Sequence, residues 1–100
     1  MSPELNAGEY VFCVVESMER AASLRPLCLF REKEGITVVV SRQQADSESL
    51  AYSVVMAWIT LTVHSSLEAV GLTAAVSRAL AEANISCNVV AAYYHDHIFV

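Results

Sequence analysis

An α+β fold, with an antiparallel-rich sheet and helices mainly on one face, is predicted by three observations. From 57 to 64, Ile59, Leu61 and Val63 alternate with Trp58, Thr60, Thr62 and His64, the period-two pattern of a strand with one face on a helical layer. From Leu67 to Ala83 the period changes, and Leu72, Val76, Ala79, Leu80 and Ala83 recur at helical spacing. Two β-rich runs follow, Cys87 to Tyr94 and His97 to Val100.

In chain order, residues 1–8 read as an extended lead-in broken by Pro3 and Gly8. Glu9 to Val15, rich in β-branched and aromatic residues, is a strand. Residues 16–26 are charged and irregular, with room for one helical turn before Pro26. Leu27 to Arg31 is a second strand, Arg31 to Gly35 a charged turn, and Ile36 to Val40 a third strand that completes a hairpin. Residues 43–50 suit a short helix with Ser41 as its cap. Ser65 or Ser66 N-caps the long helix, and Glu68 adds the negative charge that a first turn prefers. Asn84 suits the left-handed residue that ends it, with Ile85 packing back. Tyr94 to His97 is a tight turn. A strand, a helix and a second strand in one sheet imply a right-handed crossover, and the last hairpin adds an antiparallel neighbour, the first part of a ferredoxin-like βαββ unit.

Composition narrows the function. Apolar residues make up 55% of the 100 and charged residues 17%, too hydrophobic for disorder and suggestive of a surface buried in an oligomer. The net charge is −5, and the arginines are scattered, so nucleic acid and anionic membrane are poor partners. Lys33 is the only lysine, with no Gly-Lys phosphate loop around it. Cys13, Cys28 and Cys87 form no close pair and lie in apolar runs, which points to reduced thiols and a cytoplasmic protein. The first residues are polar and the apolar runs are too short to span a bilayer.

Several residue groups invite a chemical reading. Ser65, Ser66 and Gly71 lie at a helix start, where unpaired N–H groups can hold a carboxylate or phosphate. The competing reading is an ordinary cap with a glycine for helix–sheet packing. His64, His95, His97 and Asp96 are of the types that ligate zinc, but their spacing builds a polar hairpin turn, and no metal or other cofactor is expected. His64 and Ser65, adjacent on a strand, point to opposite faces and make no nucleophile–base pair; no catalysis is expected. Trp58, Tyr93 and Tyr94 read as sheet packing or interface contacts, and the face of Trp58, Thr60 and Thr62 as a subunit interface.

The stretches Ile59 to Val76 and Arg78 to Tyr93, with Glu9 to Cys13 and Leu27 to Val40, resemble the ACT domain, specifically small stand-alone bacterial ACT-domain proteins of unassigned function. The resemblance covers roughly residues 5–100. It implies a ferredoxin-like (ACT-like) sandwich with an N-terminal half over 1–52 and a βαββ core over 53–100, packed as one compact unit, the family's final helix being absent from the core. It also implies a regulatory module that binds a small amino acid or similar carboxylate at a subunit or domain interface, as a homodimer or higher assembly. The ligand loop carried over is His64, Ser65, Ser66 and Leu67 through Gly71 and Leu72, with Gly71 matching the characteristic glycine and Asn88 and Val89 lining the same site. Many members carry an Asp before that glycine, where this loop offers His64, Ser65, Ser66 and Glu68. The alternative is therefore a structural or interaction protein that keeps the fold without a ligand.

Overall fold

The computed structural model describes residues 2–62 and 66–100, with side chains for 3–62 and 74–100. Among these are six strands and three helices: β1 (Ser2–Val15), α1 (Met18–Ser23), β2 (Cys28–Arg31), β3 (Ile36–Ser41), α2 (Arg42–Ser47), β4 (Val55–Thr62), α3 (Ser66–Glu82), β5 (Asn88–Ala91) and β6 (Asp96–Phe99). The α+β, antiparallel, ferredoxin-like class read from the sequence is the one found. Two compact units are present, Gly8–Met56 and a second made of Met1–Ala7 with Ala57–Val100.

In the Gly8–Met56 unit the strand order is β2-β3-β1, all antiparallel. The register sets Val11 opposite Val40, Cys13 opposite Val38 and Val15 opposite Ile36. These six side chains share one sheet face and pack with Ala21, Leu24 and Ala45, none more than 8% exposed. The segment 16–26, read as irregular with one helical turn, forms α1 because Ser17 Oγ accepts the Arg20 N–H at 3.1 Å and Ala21 and Leu24 bury themselves in that core. Arg25 at φ 48, followed by Pro26, stops it. The expected cap at Ser41 opens α2, its Oγ accepting the Gln44 N–H at 3.1 Å. The helix closes on Ser49 at φ 55, with the Leu50 N–H donating to the Ala45 carbonyl at 2.8 Å. Gly35 ends the charged turn at φ 158, and a Cβ there would stand 2.8 Å from Val14 Cγ1. A side chain there would be strained at this φ and would have to displace Val14 Cγ1, whereas the nearest β1 backbone atom, the Val15 carbonyl oxygen, stands at 3.4 Å.

In the other unit the order is β1-β4-β6-β5. Both β4 and β5 run antiparallel to β6, hence parallel to each other, as the crossover requires. The N-terminal residues are not a mere lead-in. They belong to β1, and Asn6 Nδ2 donates to the Trp58 carbonyl at 3.3 Å and to Thr60 Oγ1 at 2.9 Å. α3 ends as predicted, with Asn84 at φ 61 and the Ile85 N–H donating to the Leu80 carbonyl at 2.8 Å. The last turn falls two residues earlier than predicted. The Ala92 N–H meets the His95 carbonyl at 3.0 Å, and Asp96 and His97 join β6 because they pair with Leu61 and Thr60. Each unit thus repeats strand, helix, strand, strand, in the orders β2-β3-β1 and β5-β6-β4. No helix among the described residues is long and apolar enough to cross a membrane.

Candidate functional site

The predicted ligand loop occupies the junction between the end of β4 at Thr62 and the start of α3 at Ser66. His64 and Ser65 lie outside the described residues. Ser66, Leu67, Gly71 and Leu72 belong to the first two turns of this 17-residue helix, whose opening N–H groups have no partners within the helix. Asn88 and Val89 open β5, and both are exposed. The paired registers set Asn88 level with Trp58 and Val89 level with Ile59, whereas Ala91 is level with Leu61. At about 3.3 Å per residue, roughly 10 Å of strand separates the Asn88 row from the Leu61 row next to the junction. Asn88 Nδ2 also lies 3.4 Å from the Phe99 carbonyl oxygen, to which it donates.

The face of Trp58 and Thr60 carries a polar network that composition alone does not reveal. Trp58 Nε1 donates to His97 Nδ1 at 3.0 Å, and Thr60 Oγ1 stands 3.3 Å from the same nitrogen. An indole N–H only donates, so His97 Nδ1 carries no proton and the ring is neutral. Burial lowers the His97 pKa from the usual histidine value, the nearby His95 adds to this, and Asp96 opposes it. The sign follows from linkage. A histidine whose folded pKa lies below its unfolded value stabilises the fold above about pH 6.5, and that contribution fades as pH falls through 6.5 toward the folded value. Urea unfolding should therefore show stability dropping between pH 7.5 and 5.5, and the drop should shrink in His97→Gln. Equal slopes in the two proteins would remove His97 as its source.

Other predicted groups disperse. Tyr93 and Tyr94 pack edge to face with centroids 4.9 Å apart at the turn, 93% and 78% exposed. Trp58 stacks instead on Phe99, 6.5 Å between centroids and 18° between planes. His95 and His97 approach with centroids 6.4 Å apart, and His95 Nδ1 is buried without a partner among the described residues. All three cysteines are free.

The Gly8–Met56 unit holds a second polar constellation, which the sequence reading missed. Gly8, Glu9, Ser41, Arg42, Gln43 and Asp46 line an open concavity of about 490 Å³. Arg42 Nη1 meets Glu9 Oε1 at 3.3 Å and Arg42 Nε donates to Tyr52 Oη at 3.2 Å, while Tyr52 donates to Asp46 Oδ1 at 2.6 Å. Arg42 Nε lies 4.0 Å from Asp46 Oδ2. The Tyr52 hydroxyl, followed by Glu9, raises the Arg42 pKa further. The contact between Glu9 and Arg42 joins residues 33 apart, and the only local signal is the Arg42–Asp46 spacing of four on a helix. This unit's own strand-to-helix junction, Glu16 and Ser17, leads into α1, where Arg20 pairs with Glu48 at 3.0 Å.

A family model described as ACT domain matches residues 1–57, and a second, also described as ACT domain, matches residues 53–100. Among solved structures, a Vibrio cholerae protein of unknown function, described as a possible transport protein, is 55% identical to this chain. The match covers 99% of this chain and 77% of that one, with a TM-score of 0.88. No curated protein matches the chain. With more than half of its length in one ACT model and the rest in another, the chain belongs to the ACT domain family, whose members are generally regulatory, ligand-binding modules and typically not enzymes.

Proposed function

We propose that this protein senses a small amino acid or similar carboxylate at the junction between β4 and α3, and that binding biases how copies of the chain or its partners associate. The observation that carries this reading is a 17-residue helix opening at Ser66 within four residues of the end of β4, in a family of regulatory ligand-binding modules. A carboxylate at that helix start meets unpaired N–H groups and the positive end of the helix dipole. Association of copies is supported by Val14 and Phe30, 66% and 68% exposed and both opposite Thr37 in the register. Apolar side chains aligned in this way suit a partner surface.

Thermal denaturation with each of the twenty amino acids tests the reading. A ligand at ten times its Kd adds about 1.4 kcal/mol, which raises the melting temperature of a domain this size by roughly 6–11 °C. Gly71→Asp, a charge added within the predicted ligand segment, should abolish that rise. If no amino acid raises the temperature and Gly71→Asp leaves association unchanged, the chain is an interaction module without a ligand.

A further inference from the structure

From the concavity beside Arg42 we infer a second ligand site, in the Gly8–Met56 unit, that takes the zwitterionic head of an α-amino acid. The inference deepens the sensing reading and places an amino acid at a different position in the chain. A guanidinium has five N–H groups. Arg42 uses its Nε–H on Tyr52 and one Nη1–H on Glu9, which leaves three without a partner among the described residues. These can grip a carboxylate in the forked geometry that arginine favours.

Glu9 and Asp46, on the two sides of the guanidinium, supply acceptors for an ammonium group. Charge narrows the ligand. Two carboxylates against one guanidinium leave the cluster net negative, which disfavours a simple anion, and a ligand carrying both signs engages the guanidinium and the carboxylates together. An α-amino acid carries its opposite charges one carbon apart, matching a site whose own opposite charges touch at 3.3 Å. The volume suits a small molecule. Gly8, held at φ 98, leaves its part of the wall without a side chain, since even an added Cβ would meet only the Tyr10 ring at 3.6 Å and beyond.

Backbone amide NMR of the full chain, titrated with each of the twenty amino acids, acetate and methylammonium, tests the site. At least one amino acid should shift Gly8, Glu9 and residues 41–46 saturably, with acetate and methylammonium binding at least roughly tenfold more weakly. Arg42→Gln should weaken the amino acid roughly tenfold or more. Arg42→Lys, which keeps the charge and loses the fork, should weaken it too, so the result stands if the glutamine variant misfolds. Glu9→Gln should weaken the amino acid and spare acetate. Shifts confined to 66–72 and 88–89 overturn this inference and leave the β4–α3 reading standing. Acetate binding as tightly as the amino acid overturns it in favour of a plain anion site. Shifts nowhere sink both.

Discussion

Replacing Phe99 with alanine should cost about 3–5 kcal/mol, a large share of the 5–15 kcal/mol that holds a typical domain together. Phe99 is 1% exposed and stacks on Trp58. In the register it stands opposite Trp58 on one side and Asn88 on the other. Truncation therefore opens a cavity between β4, β5 and β6 and removes the support that aims Trp58 Nε1 at His97. Trp58 is the only tryptophan, so urea unfolding followed by its fluorescence reads this unit directly. A loss under 1 kcal/mol would show that the packing around Phe99 is dispensable.

The second large effect is expected in the other unit. Leu24 has no exposed surface and packs in the core that includes Val11, Cys13 and Val38. Its carbonyl also accepts Gln44 Nε2 at 2.5 Å, tying the end of α1 to α2. Leu24→Ala should cost about 2–5 kcal/mol. Cys13 is a local reporter, being 2% exposed, with burial pushing its thiol pKa up. Both effects keep the thiol unreactive until the unit opens. A loss of 2 kcal/mol should raise Cys13 labelling by roughly thirtyfold, read residue by residue by mass spectrometry. Unchanged labelling of Cys13 would place Leu24 outside the cooperative core.

What the sequence made legible was local. Ser41 as a cap, Asn84 in the left-handed region and the alternation of β4 each depend on a few neighbouring residues. Apart from α1, whose Ser17 cap is local, the misses are long-range. Residues 2–7 look like a polar tail until β4, more than fifty positions away, gives Asn6 its partners. Asp96 and His97 look like turn residues until Leu61 and Thr60 pair with them, and this displaces the turn onto Tyr93 and Tyr94. The repeated order of elements is masked because α1 has six residues and α3 seventeen, so the two repeats differ in length and cannot be matched position by position. For the predicted site, spacing located Ser66 to Leu72 at a strand-to-helix junction, whereas the rows of Asn88 and Val89 are set by pairing through β6. The charges around Arg42 are brought together by a strand and a helix far apart in sequence.

The division of β1 bears on how this protein can be dissected. Residues up to Ala7 belong with Ala57–Val100, whereas the unit beginning at Gly8 ends at Met56. A cut near residue 56 therefore yields no self-sufficient C-terminal fragment, because that piece leaves behind the strand whose Asn6 bonds Trp58 and Thr60. Supplying residues 1–7 together with the Ala57–Val100 piece is the cleaner way to isolate it. Tags and fusions at the amino terminus load the half of the protein encoded last.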